Sequence, residues 1–305
     1  KRDKTSKEHL PEPMHRWDFT KSAKDDIAGV EAKLHNGATL QADGLHFTGN
    51  AYASTPPLTK PLHAKTLFAV VQLANVQQRG GAAISVQSLD GNLFDAIVFA
   101  EREPGRWIAG SNFFARTQNL NGAAETQTTP LHVAITYAVD GTITAYRNGT
   151  LHGKAYKTKD LLKLNANQAM VLFGLRHSPA GANKHLTGTI QRAELFDRAL
   201  TADEVAALAG ARSDYVSETT LVAAMTDAQK AERAELLRLI GAANAKRVPP
   251  PSTKVYAVRP RAPEMLHVLN RGNAGEKLGI ALPGGVASLK VNANFGLRAD
   301  ASDAD

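Results

Sequence analysis

Carboxylates and imidazoles are the side chains of this sequence best placed to do chemistry. With no cysteine among 305 residues, thiolate nucleophiles, thiolate metal sites, disulfides and a covalently attached haem are all excluded. Cleavage of a glycosidic bond needs two carboxyl groups flanking that bond. On a strand the useful spacing is two, because successive side chains point to opposite faces. Glu101 and Glu103 have this spacing, yet Arg102, Pro104 and Gly105 around them read as a charged, solvated turn. Asp25-Asp26 is the other acidic pair. It falls in a loop, and with Asp18 just upstream it offers the oxygen ligands that calcium takes. Solvent exposure is the plainer reading of the same residues. The ten histidines are scattered, and none has a ligand spacing backed by a carboxylate. His46 and His132 fall inside strand patterns. The His-Glu-x-x-His, Gly-x-Ser-x-Gly and phosphate-loop motifs are absent. No catalytic residue is therefore assigned and no cofactor expected, with calcium the one open case.

The elements that must position these residues read as short strands. Leu67, Ala69, Val71 and Leu73 alternate with Phe68, Val70, Gln72 and Ala74, so this strand is expected to be covered on both faces. Ile84 and Val86, Ile97 to Phe99, then Val133, Ile135 and Tyr137, Met170 to Phe173 and Thr189 to Phe196 continue the series. Asp90-Gly91, Asp140-Gly141 and Asn148-Gly149 supply hairpin turns between them. The fold expected is all-β, a two-sheet antiparallel jelly-roll sandwich, followed by a helix and an irregular partial domain. Thr201 and Glu204 form a capping box, Leu200 and Val205 a hydrophobic staple, and Gly210 a stop for a short closing helix. Thr226 and Gln229 cap a second helix, which is expected to reach Ile240 and to end at Gly241 or Asn244. Val248 to Ser252 is a stiff proline linker. Val255 to Val258 and Met265 to Leu269 read as extended. The expected divisions are a flexible lead-in 1–14, a sandwich 15–209, a linker and helix 210–245, and a partial domain 246–305.

The net charge is +7. Spread over the whole chain it makes a weak case for nucleic acid, and none is expected as a partner. No run of about eighteen apolar residues is present to span a bilayer. The charged start, Lys1 to Lys7, is unlike a signal peptide, and the abrupt ends suit an internal piece of a larger protein.

Residues 15–209 resemble the laminin-G-like jelly roll, a branch of the concanavalin-A-like lectin and glucanase superfamily. The resemblance is carried by His15-Arg16-Trp17-Asp18-Phe19, Gly44 to Tyr52, His132 to Tyr137, Tyr146-Arg147-Asn148-Gly149, and Gly188 to Phe196 running into Arg198 to Val205. The helix from Thr226, the proline linker and His267 to Asn273 are similar to a junction in large exported proteins of planctomycetes and related bacteria. There the module is joined to a cytochrome c-like domain and domains of unknown function. That implies a periplasmic, envelope or extracellular setting, with neighbouring domains of the same protein as partners. The family's closing strand usually carries an acidic residue after the isoleucine, near a calcium site. Here Ile190 is followed by Gln191 and Arg192, so Gln191 has only a neutral carbonyl to offer and calcium binding is expected to be weak or missing.

Two roles follow. A non-catalytic interaction or spacer module is favoured by the long helix and tail. The alternative is a glycan-binding, lectin-like module, which needs aromatic platforms with polar groups at the rim. Trp107, Phe113, Phe114, Arg116 and His177 are its candidates, with the core as the competing place for Trp107. A glycoside hydrolase ranks third, for want of paired carboxylates.

Overall fold

A computed structural model describes residues 10–246, 267–271 and 273–280. The chain divides into two compact units at Glu232–Arg233. The first contains the expected sandwich. Its nine-stranded sheet runs β12 (Thr150–Leu151), β11 (Thr142–Arg147), β10 (Leu131–Tyr137), β6 (Lys65–Leu73), β15 (Gly188–Phe196), β4 (Gly44–Phe47) and β3 (Thr39–Gln41). Off this path, β1 (His15–Asp18) pairs with β15, and β13 (Tyr156–Lys157) with β11. The second sheet runs β2 (Lys33–His35), β5 (Tyr52–Ser54), β14 (Ala169–Phe173), β7 (Ala82–Ser88), β8 (Phe94–Phe99) and β9 (Trp107–Ser111). All of these pairings are antiparallel.

The strand alternation decides which side chains meet. Leu67, Ala69, Val71 and Leu73 of β6 enter the main core between the sheets, with Ile135, Ile190, Ile84, Ile97 and Phe173. Phe68 and Val70 face the other way, into a second cluster with Phe196, Leu200, Val205 and Leu208. Both faces of β6 are thus covered, as the missing polar exits imply. The cover on the outer face is α1 (Ala202–Leu208), whose capping box joins Thr201 and Glu204 in both directions. Gly210 follows with φ 67°, the left-handed conformation expected of a helix stop. On the six-stranded sheet, Ala82, Phe94, Ala96, Val98 and Ile108 make a third apolar cluster.

At Asn148-Gly149 both residues have positive φ, 49° and 78°, as a primed two-residue turn requires. At Asp140-Gly141 only the glycine does, at 88°, and the Asp140 carboxylate accepts the Thr142 N–H at 3.0 Å. One helical expectation needs correction, and another is decided between its two alternatives. A helix not anticipated, α2 (Glu218–Ala224), is capped by Ser217. The next, α3 (Asp227–Ala245), has the Thr226–Gln229 capping bonds, runs through Gly241 and ends one residue past Asn244, the other expected stop. One interior glycine costs only about 1 kcal/mol, and the alanines beyond it propagate the helix. The second unit includes the hairpin of β16 (His267–Asn270) and β17 (Asn273–Ile280). The proline linker and Val255 to Val258 lie outside the described residues.

Candidate functional site

Beyond the end of β9 the chain makes a tight 3-10 turn, Asn112–Phe114. Phe113 and Phe114 both sit in the left-handed region, with φ 50° and 55°. For a residue with a Cβ this costs roughly 1–2 kcal/mol each. The turn also puts Phe113 in water, 95% exposed, and leaves Phe114 47% exposed. Strain of this kind persists only where the surroundings over-determine it. Here they do. The Ser111 hydroxyl accepts the Arg116 N–H at 2.9 Å and meets the Thr117 hydroxyl at 2.9 Å. The Thr117 hydroxyl lies 2.7 Å from the Ala109 carbonyl, and the Ala115 N–H closes on the Asn112 carbonyl at 3.0 Å.

Arg116 is the second clamp. Its Nη2 donates to the Asn112 side chain at 2.8 Å and to the Phe94 carbonyl at 3.0 Å, while Nε donates to Asp95 Oδ1 at 2.8 Å. Asp95 is fully buried, as is Lys65, whose Nζ lies 2.7 Å from Asp95 Oδ2. Lys65 also sits 4.5 Å from the centroid of the Tyr137 ring. Burial pushes the Lys65 ammonium down from its ordinary pKa, and the Asp95 carboxylate opposes that shift. Burial first, then Asp95, pushes the Tyr137 hydroxyl well up. The Tyr156 hydroxyl donates to the Arg116 carbonyl at 2.8 Å, and burial raises its pKa to about 12. A buried charge network thus anchors a turn that carries two aromatic rings. The Arg102 guanidinium completes the surface, 5.6 Å from the Phe114 ring centroid.

The other residues singled out from sequence have definite places. His177 stacks on Phe94 at 4.5 Å and 11°, over the third apolar cluster, beside the strand that Arg116 grips. Burial holds its imidazole below the ordinary value. Trp107 is 1% exposed and donates to Glu125 at 3.2 Å, so it belongs to the core and presents no platform. The expected solvated turn at Glu101 is also corrected. Glu101 is partly buried against Arg176, and burial raises its carboxyl pKa. Glu103 lies 3.5 Å from Arg106 and accepts from Asn119 at 3.1 Å.

The calcium candidates do not gather. Asp25 is buried, and its two oxygens take the N–H groups of Arg16, Ile27 and Ala28 and meet His15 Nδ1, at 2.7–2.9 Å. Burial alone raises its carboxyl, and those bonds together bring it below the ordinary value. Such a carboxylate organises its own loop. Asp26 is exposed, and Asp18 takes the Thr20 hydroxyl at 2.6 Å and Lys21 at 2.7 Å. Gln191 is the extra residue of a β-bulge between Ile190 and Arg192, and its backbone carbonyl accepts the Phe19 N–H at 2.9 Å. Gln191 and Asp18 line one open groove together with Arg192, whose Nη2 donates to the Leu208 carbonyl of α1 at 2.9 Å. Among the described residues, no three His, Asp or Glu side chains assemble as a metal ligand set. Among the same residues, no helix is long and apolar enough to cross a membrane.

Sequence reasoning missed Asp95, Lys65 and Arg102. A lone carboxylate inside Phe94-Asp95-Ala96-Ile97-Val98-Phe99 was the available signal, since such a residue must find a buried cation.

Residues 47–206, just over half of the chain, match a laminin-G model described as the concanavalin A-like lectin/glucanases superfamily. No curated protein matches the chain. Among solved structures, it is similar to domain 4 of AbnA, a GH43 extracellular arabinanase from Geobacillus stearothermophilus, in complex with arabinotriose. That alignment has a TM-score of 0.53 and 15% identity, over 66% of this chain and 98% of that one. A Trypanosoma rangeli sialidase aligns with a TM-score of 0.47 and 16% identity, over 66% of this chain and 33% of its own. The binding domain of botulinum neurotoxin serotype D gives 0.43 and 13%, over 65% and 51%. At such identities the likeness concerns the fold. With its two antiparallel sheets, its closing strand and capped helix, and the family match across 47–206, this chain belongs to the concanavalin A-like lectin/glucanases superfamily.

Proposed function

We propose that the chain is a non-catalytic carbohydrate-recognition module whose binding surface is the Phe113–Phe114 turn. One observation carries this reading: two adjacent phenylalanines are held in a costly backbone conformation that exposes them. A fold stabilised only for its own sake would bury these rings or place Gly or Asn there. The apolar C–H face of a sugar ring covers such a platform, and the polar rim at Arg102 and Asn112 meets its hydroxyl groups. The arabinanase domain of the same fold is described in complex with arabinotriose. That likeness supports a fold able to present a sugar site and says nothing of which sugar. Calorimetric titration against a panel of oligosaccharides tests the reading. Binding is expected, and Phe113→Ala is expected to weaken it at least tenfold, the order expected for losing a buried phenyl contact of about 1.5–3 kcal/mol. Undiminished binding by that variant would move the site elsewhere.

A second reading is favoured by α3. Leu236, Leu237, Leu239 and Ile240 are all about half exposed, and no residue of the helix is buried. We propose that this face docks on a neighbouring domain of a longer exported protein, as the resemblance to multidomain bacterial proteins implies. Hydrogen exchange at Leu236 and Leu239 should then slow in a longer chain. Equal protection in both lengths would remove this reading.

A further inference from the structure

We infer that the sugar taken at the Phe113–Phe114 turn is acidic, carrying a carboxylate or sulfate group. This rests on the carbohydrate-recognition reading and adds its charge class. Arg102 is exposed, and its guanidinium lies over Phe114. The carboxylates around it are already engaged. Glu101 pairs with Arg176, Glu103 with Arg106, and Asp95 is shared between Lys65 and Arg116. Among the described residues no carboxylate forms an ion pair with Arg102. The set holds five cations against three carboxylates, and the excess lies partly in the buried network beneath the turn.

Geometry and charge agree. A guanidinium resting on an aromatic face is flat and weakly hydrated. Its N–H edge stays free to give two parallel hydrogen bonds to a carboxylate or sulfate. A sugar hydroxyl brings neither the paired acceptor oxygens nor the opposite charge that an acid group sets against the guanidinium. Phe113 decides between a sugar acid and a simple anion. The residue is 95% exposed, so its ring is open to an apolar sugar face, which an inorganic ion lacks.

The test titrates the whole chain with uronate oligosaccharides, sulfated oligosaccharides, neutral arabino- and gluco-oligosaccharides, and inorganic sulfate. At low salt the acidic sugars should bind about tenfold or more tighter than neutral ones. That advantage should shrink between about 0.05 and 0.5 M salt, as the Debye length shortens. Arg102→Gln should abolish the discrimination. Lys60→Gln, which removes one exposed charge elsewhere, should preserve it. The uronate and sulfate arms identify which acid group is read. Neutral and acidic sugars binding alike, or Lys60→Gln acting as Arg102→Gln does, would overturn the charge class and leave carbohydrate recognition standing. Inorganic sulfate matching the acidic sugars would assign an anion site in its place. Binding of no sugar at all would overturn both readings.

Discussion

Phe113 shows how stability and function separate at a single residue. Its ring makes no core contact, yet its backbone occupies a region that asparagine enters far more readily. Phe113→Asn should therefore stabilise the fold by about 1 kcal/mol in urea unfolding while weakening sugar binding. A loss of stability would mean that the exposed ring supports the turn. Asp95 lies at the opposite extreme. Removing it leaves Lys65 and Arg116 without their shared carboxylate in the interior. Asp95→Ala should cost about 3–5 kcal/mol, the usual penalty for uncoupling a buried charge, read as a lowered midpoint of denaturation. Phe113, Phe114 and Arg116 were visible in the sequence as candidate aromatic and cationic residues for a sugar platform and its rim. Their clamp was not, because Lys65 and Asp95 lie thirty residues apart and meet only across the sandwich.

Among the elements, β10 and β15 flank β6 and carry the central core positions. Ile135 and Ile190 are both fully buried. Replacing either with alanine should cost about 2–4 kcal/mol, from lost transfer energy and the cavity left behind. Chemical denaturation would check this, and a change below 1 kcal/mol at either would mean the site collapses readily. The outer face of the same sheet depends on α1. Its capping box was legible because Thr201 and Glu204 lie three residues apart in one local motif. The length of α3 was less legible. Propensity alone does not stop a helix at one glycine when alanines follow.

Acidification should expose the charge balance of the whole molecule. His35, His63, His132, His152, His177 and His185 are all held below the ordinary value of 6.5, with burial as the leading cause. Between the lowered folded values and 6.5 the unfolded chain binds more protons than the folded one. Stability is therefore complete above about pH 6.5 and falls as pH drops through the folded values. Glu101, raised by burial, acts in the opposite sense just above 4.5, as a single group against six. The melting temperature should be lower at pH 5 than at pH 7.5. An unchanged or higher value at pH 5 would contradict this assignment.

What the sequence determined by itself was what local pattern encodes. Period-two alternation set the strands, the doubly covered β6 followed from its missing polar exits, and capping boxes marked the starts of α1 and α3. The hairpin at Asn148-Gly149 followed from the positive φ those residues tolerate. Only the tertiary structure decided which aromatics are wet and which are dry. Trp107 and Phe113 are both aromatic residues near the end of one sheet, yet one is sealed against Glu125 and the other stands in solvent. It likewise decided that Asp25 serves its own loop and that Arg102 lies over a ring. The physical reason is the same in each case. Burial and charge pairing are set by residues distant in sequence that closure of two sheets brings within a few ångströms, and no local spacing encodes that distance.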